Sequence, residues 1–599
     1  MVVAHAQAEA AYAAEDTRLD AAPVATSDRT NTQPEILTGA EITCRSLEQE
    51  GVTTIFGYPG GAVIPLYDAI ASANFHHVLS RFEQWAAHEA QAYARVTGEV
   101  GVCIATSGPG ATNIVTALAD AHLDSIPMVA ITGQVTQGLI GRDGFQEVDI
   151  TGITLPVTKH NYLVRTPEDI APTIKEAFYL AKSGRPGPVL VDIPKDVFQA
   201  SAPFVYPTTT GRRSYQPNIV PNMRQVRLAA DLIAQAKKPL IMAGHGIILS
   251  KATDIFREFA EKTGIPVIYT LLGLGAMDEA HPLSLGMMGM HGHRHVNRAL
   301  EEADLLVNIG ARFDDRATGR LSGFAPNAKI IHVDIDPAEI GKNVKTDVPV
   351  VGDAKEALKL LIEEVQSGAY TEWMGWIDSQ RDRVLAAALE DKPEWPEPYA
   401  IVKAIAEATD HEAIVTTDVG QHQMWAAQHV GVRHGDRWVT SGGLGTMGFG
   451  LPSAIGAKMG RPELEVWSII GDGSFQMSLV ELATAVQEHL DINIVIINNG
   501  YLGMVRQWQD LFHNHNYSET RISSPDFVKL AEAYGVTGIR VTTNDGIAPA
   551  IAQARSINGP VLIEFIVEPE ANVYPMVAPG ASNSEMIHHP QSSIAGEEF

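Results

Sequence analysis

Between Val466 and Tyr501 the chain alternates a buried strand, a turn, a helix and a second buried strand. This unit restricts the fold more than any other stretch. Val466-Trp467-Ser468-Ile469-Ile470 and Ile492 to Ile497 are short, nearly continuous apolar runs, the pattern of strands covered on both faces. Met477 to Glu488 reads as the helix between them. Two strands joined by one helical crossover lie parallel in one sheet. Their ends then carry Gly471-Asp472-Gly473-Ser474 and Asn498-Asn499-Gly500-Tyr501 on the edge where open α/β sheets bind ligands. Asp472 and Asn499 can meet at one hard cation, because Mg²⁺ takes oxygen ligands and shares its shell with phosphates. Glycines flanking Asp472 let the backbone approach a phosphate closely. Taken singly, Gly-Asp-Gly and Asn-Gly are ordinary turns. Spaced by one crossover, each ending a buried strand, they point to an anchored diphosphate.

At 599 residues the chain is too long for one core, and length alone predicts about three or four domains. A formal net charge of −27 argues against a nucleic-acid partner or an anionic membrane surface. No apolar run is long enough to span a bilayer. The two cysteines, Cys44 and Cys103, have no Cys or His partner at metal spacing, which fits a reducing compartment. Residues 1–35 are poor in large apolar residues and carry several acids. They read as an unstructured segment that is neither a transit nor a signal peptide, so the expected location is cytoplasmic.

Three blocks of alternating strand and helix follow, predicting three doubly wound parallel sheets in an α/β fold. The first covers 36–205, with strands at Thr53–Phe56, Gly101–Thr106, Met128–Thr132 and Pro188–Ile193. A polar linker, Tyr206 to Asn222, leads to the second, 223–364, with strands at Pro239–Ala243, Pro266–Tyr269, Leu305–Ile309 and Lys329–Val333. A charged connector, Val365 to Pro396, leads to the third, 397–570. A tail, 571–599, has few periodic signals.

Other strand-to-helix turns carry candidate chemistry. Gly57-Tyr58-Pro59-Gly60-Gly61 can present backbone N–H groups to a developing oxyanion, or is simply a tight turn. Glu83 stands at the start of a helix through Ala94. It is either a desolvated, proton-sharing carboxyl or an acid favoured by the helix dipole. His88, in that helix, reads as a satisfied histidine. Thr106 to Asn113 is a glycine-bearing turn that caps a helix or touches a cofactor. Asp418-Val419-Gly420-Gln421-His422 follows the strand Ala413–Thr416 and offers donors for phosphate. Thr440 to Gly450 is dense enough in glycine for its backbone to approach a flat ligand.

Together these residues resemble the thiamine-diphosphate enzymes, whose metal motif begins Gly-Asp-Gly and ends Asn-Asn. They resemble most closely the catalytic subunits of the acetohydroxyacid (acetolactate) synthases. That likeness covers about residues 36 to 580. Its most specific strings are Ala311-Arg312-Phe313-Asp314-Asp315-Arg316 and Met504-Val505-Arg506-Gln507-Trp508. The resemblance implies that Asp472, Asn499 and the Tyr501 carbonyl hold Mg²⁺ on the diphosphate. It places Gln421, His422 and Ser474 on the phosphates, with Val419, Gly420, Gly473 and Met504 also at the cofactor. Gly445 and Met447 hold the aminopyrimidine, and Glu83 hydrogen-bonds that ring and promotes its imino tautomer.

The implied reaction is decarboxylation of pyruvate and ligation of the two-carbon unit to a second 2-keto acid. Pyruvate gives 2-acetolactate, and 2-ketobutyrate gives 2-aceto-2-hydroxybutyrate. Trp508 would pack on the second acid's side chain and Arg316 would pair with its carboxylate. Gly61, Phe145, Gln146 and Lys159 would line the pocket from the first domain. Taken alone, Trp508 would be a helix core residue and Arg316 a surface ion pair. The family's middle domain binds FAD, implying Arg185, Gly244, Gly246, Thr270, Leu271, Gly289, His291, Gly310, Arg312, Asp334 and Asp353 here. The Gly244-His245-Gly246 turn lacks a full dinucleotide-binding fingerprint, so FAD rests on the resemblance. Glu83 and Asp472 would serve one cofactor from different subunits, making a homodimer, or a dimer of dimers, the active unit. A small regulatory subunit is also implied. Trp85 stands where relatives often have Gly, and Tyr501 occupies a variable site. The rival readings are a thiamine-diphosphate oxidase or simple decarboxylase, and a non-catalytic nucleotide-binding protein on the same sheets.

Overall fold

Residues 34–211, 214–381 and 395–589 are described by a computed structural model of the chain. All but the last two residues of the segment 1–35 lie outside them, as do parts of the connector and of the tail. Three six-stranded sheets form, and every strand pairing within them is parallel. Each sheet falls inside one of the three blocks.

The first sheet runs His76–Leu79, Thr54–Gly57, Gly101–Ala105, Met128–Gln134, Pro188–Pro194, His160–Leu163 across its width. The third runs Trp438–Val439, Ile414–Thr417, Val466–Gly471, Ile492–Asn498, Val561–Ile566, Thr537–Val541. These two share one winding. In each, the first strand in the chain has the second on one side and the third on the other. The middle sheet winds instead as Ser284–Met287, Val267–Tyr269, Pro239–Ala243, Leu305–Ile309, Lys329–Asp334, Val348–Val351, the order of dinucleotide-binding folds. Wherever the winding reverses, the neighbouring loops part and leave a crevice at the strand ends. All three crevices sit where the sequence places its glycine-bearing turns.

The interior strands are the apolar runs of the sequence; Ile494, Val495 and Ile496, for example, are wholly buried. Six edge strands were not expected: His76–Leu79, His160–Leu163, Ser284–Met287, Val348–Val351, Trp438–Val439 and Thr537–Val541. They are short, and His76–Leu79, His160–Leu163 and Thr537–Val541 are largely half exposed and broken by polar residues, while Trp438–Val439 has only two residues. Val561–Ile566 is interior but carries Glu564, which is buried, accepts from Asn498 Nδ2 at 2.8 Å and pairs with Arg540 at 2.7 Å. The helix expected over Met477–Glu488 begins earlier, directly at Asp472. It runs to Ser478, tightens to a 3₁₀ turn at Leu479–Glu481, and resumes as Leu482–Gln487. An acid at the first position suits the positive end of the helix dipole.

The first and third domains dock through one helix pair. Glu83–Thr97 packs its buried Ala86, Ala87, Ala90 and Ala94 into the first domain's own core and turns Ala92 and Val96 to the third, where Gly450–Gly460 approaches it with glycine. A Cβ at Gly456 would lie 2.0 Å from the Glu89 carbonyl oxygen. Only glycine permits so close a contact. This docking holds Glu83, at the start of its helix, in a fixed relation to the third sheet.

Candidate active site

At the winding reversal of the third sheet, the ends of Ile414–Thr417, Val466–Gly471 and Ile492–Asn498 border a cavity of about 60 Å³. Asp472, Asn499 and Tyr501 all line it. The Asp472 carboxyl is buried, and burial pushes its pKa up to about 7. Asn499 Oδ1 accepts from Tyr501 N at 3.1 Å, and its Nδ2 donates to Gln421 Oε1 at 3.2 Å. Gln421 is itself tied to Gln507 Oε1 and to the Ala571 carbonyl, each at 2.9 Å. The tail thus fixes the residue that orients Asn499. Among the described residues no cluster of three His, Cys, Asp or Glu forms. The candidate cation site is one carboxylate with amide and carbonyl oxygens, the donor set of a hard ion rather than of zinc.

The remaining walls fit an anion beside that ion. Val419, Gly420, His422, Gly473 and Ser474 all face the cavity. His422 is buried and held neutral by that burial, with its pKa lowered to about 3, and its Nε2 has no hydrogen-bond partner. A buried polar atom without a partner is costly, and a phosphate oxygen would satisfy it. A Cβ at Gly471 would sit 2.8 Å from the His422 ring, and one at Gly503 would sit 2.1 Å from Gln421 Oε1. The cradle therefore exists only because these positions are glycine.

Met447 and Met504 line this cavity and also a much larger one of about 800 Å³. The large cavity spans the middle domain. Arg185, Gly246, Thr270, Leu271 and His291 border it, and so do Gly310, Arg312, Asp334 and Asp353. Gly244 and Gly289 are absent from the walls. They allow close backbone approaches, since a Cβ at Gly244 would lie 2.2 Å from the Gly310 carbonyl oxygen and one at Gly289 2.4 Å from that of Arg316. Gly445 lies on the same wall as Met447. Arg316 and Trp508 meet at this cavity too, with the guanidinium carbon 5.8 Å from the indole centroid, a cation–π distance. Arg316 also has an exposed ion pair with Asp315 at 3.3 Å.

The first domain's candidates lie elsewhere. Glu83 accepts from Asn113 Nδ2 at 3.0 Å and lies beside Gly110. Gly61 faces open space, Phe145 is 89% exposed, and Gln146 has positive φ and packs against Gly108. None of these lines either cavity. Lys159 is also outside both, because its ammonium donates to the carbonyls of Leu180 and Ser183 and to Tyr215 Oη. His88 is buried, with Nδ1 3.1 Å from Gln91 Oε1. One chain therefore gathers the metal, phosphate, middle-domain and Arg316–Trp508 residues, but not the first domain's set.

Sequence reasoning missed Asp418, Asp120, Asp124 and Ser441. Asp418 begins the stretch expected to donate to phosphate. Its carboxylate instead accepts from the N–H groups of Gly448 at 3.0 Å and Gly450 at 2.8 Å, fixing the end of the glycine loop. The only local hint is an acid at the end of a buried strand.

Two like-wound sheets around a dinucleotide-type sheet, with an oxygen-lined cradle at one reversal, define a class of cofactor-dependent α/β enzyme. Three models of the thiamine pyrophosphate enzymes match: the N-terminal TPP binding domain over residues 37–153, the central domain over 226–361 and the C-terminal TPP binding domain over 418–565. An acetolactate synthase of Mycobacterium leprae is 52% identical over 92% of this chain and 91% of its own length. The acetolactate synthase large subunits of Corynebacterium glutamicum and Cyanidium caldarium are 51% and 46% identical, again over 92% of this chain, and over 90% and 97% of their own lengths. The chain belongs to the thiamine pyrophosphate enzymes, within their acetolactate synthase family.

Proposed function

We propose that the chain catalyses the acetolactate synthase reaction: decarboxylation of pyruvate on thiamine diphosphate, and ligation of the two-carbon unit to pyruvate or 2-ketobutyrate. The observation that carries this is the meeting of the oxygen-lined cradle, Met447 and the Arg316–Trp508 pair around two adjoining cavities. Thiamine diphosphate, when bound, supplies the carbanion chemistry. The chain's own residues bind, orient and exclude water. Asp472, Asn499 and the Tyr501 carbonyl would hold Mg²⁺, with Gln421 fixing the Asn499 amide. His422 and Ser474 would meet phosphate oxygens, while Gly445 and Met447 hold the pyrimidine side. Arg316 offers a planar fork to a substrate carboxylate, and Trp508 an apolar face to its side chain.

The large cavity is the proposed FAD site. Its glycine-lined strand ends and Arg312 suit a dinucleotide's phosphates, and Asp334 and Asp353 offer acceptors for hydroxyl groups. Glu83, Gly61, Phe145 and Gln146 would reach the pyrimidine and substrate from a second copy, so the active unit is a homodimer or a dimer of dimers. In that reading Glu83 holds the proton exchanged with the ring. The name "large subunit" carried by two relatives extends the reading to a small regulatory partner. The two cysteines are buried free thiols, in keeping with a reducing cytoplasm, and no described helix is long and apolar enough to cross a membrane.

The test is an assay of the purified full chain with pyruvate, thiamine diphosphate and Mg²⁺. Acetolactate as the main product is expected. Acetaldehyde or peroxide in its place would overturn the ligase reading.

A further inference from the structure

The loop Thr440 to Gly448 contains Gly442, Gly443, Gly445 and Gly448, the latter two with φ of +76° and +89°. Glycine has the most backbone freedom to lose on ordering. Such a loop keeps one shape only if something outside it holds its amides. Asp418 of the third domain holds the Gly448 amide; the other outside carboxylates belong to the first domain. Asp124 Oδ2 accepts from Gly442 N at 3.1 Å and Oδ1 from Gly443 N at 2.6 Å. Asp120 Oδ1 accepts from Ser441 Oγ at 2.9 Å. That hydroxyl oxygen accepts in turn from Gly445 N at 3.0 Å and Thr446 N at 2.9 Å. Asp120, Asp124 and Ser441 are all at most 2% exposed.

The two acids stand four residues apart on the helix Val115–Asp124, so they share one face. Asp124 is ion-paired with Arg95, which projects from the helix that begins at Glu83. Bonds from amides to a buried, ion-paired carboxylate are stronger than neutral ones. One edge of the loop is therefore bolted to the first domain. The same stretch, with Gly445 and Met447, borders the large cavity.

We infer that Asp120, Asp124 and Ser441 are positioning residues: the two first-domain acids, Asp120 acting through the loop's own Ser441, set the shape of the third-domain loop that receives the pyrimidine ring. The inference rests on the reading of Gly445 and Met447 given above. Asp124 and Ser441 border the large cavity, and none of the three needs to touch the thiamine cofactor.

The test uses the full chain carrying Ser441→Ala or, separately, Asp124→Asn. Ser441→Ala removes the acceptor of the Gly445 N–H and leaves the buried Thr446 N–H without one. Asp124→Asn points an amide NH₂ at another donor. Hydrogen exchange is read on the cofactor-free proteins, then thiamine diphosphate affinity by fluorescence quenching in excess Mg²⁺, then steady-state kinetics. Exchange over residues 441–446 should quicken by about ten-fold or more, and the cofactor Kd should rise about ten-fold, given the cost of stranding buried donors. Exchange in the strand Ile492–Asn498 and the pyruvate KM at saturating cofactor should hold. General loosening would move them all. Unchanged loop exchange and unchanged Kd in both variants would overturn the inference while leaving the site's reading intact. Failure of the wild-type protein itself to bind thiamine diphosphate would sink that reading, and this inference with it.

Discussion

At the scale of residues, the proposed second-substrate site turns on the pairing of Arg316 with Trp508. Neither is a core residue in this structure, since both border the large cavity. The indole backs the guanidinium, and a substrate carboxylate at its fork would replace the exposed Asp315 as partner. An apolar face of this kind distinguishes substrates that differ by one methylene by about 1–3 kcal/mol. Trp508→Leu should therefore lower the preference for 2-ketobutyrate over pyruvate by about ten-fold, with decarboxylation of pyruvate itself less affected. A competition assay scoring the two products checks this, and a product ratio equal to wild type would remove Trp508 from the specificity role.

At the scale of elements, the helix Glu83–Thr97 docks against more than glycine. Where it faces the turn Leu479–Glu481 it buries a pair of carboxyls, Glu89 and Glu481. Ser80 Oγ donates to Glu89 at 2.6 Å, Arg81 N to Glu481 at 2.8 Å and Thr484 Oγ to Glu481 at 2.5 Å. Arg81 and Glu488 are the other charges facing the pair. Burial raises both pKa values, that of Glu481 from 4.5 to about 7, and Glu89 is raised further by Glu481. A raised carboxyl pKa means the folded chain keeps a proton that the unfolded chain has lost. The pair's contribution is therefore full below the ordinary carboxyl pKa and falls as pH climbs from about 4.5 toward 7. Glu89→Gln is neutral at every pH. Its urea midpoint should match wild type near pH 5 and exceed it at pH 8; a difference that does not change with pH would refute the shared burial of charge. This pair also marks where the sequence stops being legible. Interior strands such as Pro239–Ala243 announce themselves because a doubly covered strand must be apolar along its length. Edge strands such as His76–Leu79 have no such requirement. The cradle was legible because its residues are consecutive at two strand ends. The bond between Asp120 and Ser441 joins residues 321 apart, and no local pattern records it.

At the scale of the whole molecule, one chain does not gather all the proposed site residues around its cavities. Glu83, Gly61, Phe145 and Gln146 lie outside both cavities, on a first domain that exposes large apolar side chains. Phe145 is 89% exposed, Leu155 70% and Ile64 59%. The third domain leaves Met477 and Val480 exposed, and Val505 exposed at the cradle. Monomeric proteins seldom leave so much apolar surface in contact with water. A two-fold dimer would cover such surface on both copies at once and bring one chain's Glu83 toward the other's Met447. This arrangement has a genetic signature. Glu83→Gln and Asp472→Asn should each abolish acetolactate formation when expressed alone. Co-expressed, they assort at random, and some sites then take Glu83 from one chain and Asp472 from the other, both intact. With free assortment about a quarter of all sites are of this kind, so activity should return to roughly a quarter of wild type. Were both residues to serve a site within one chain, every site would carry one lesion, and co-expression would restore nothing.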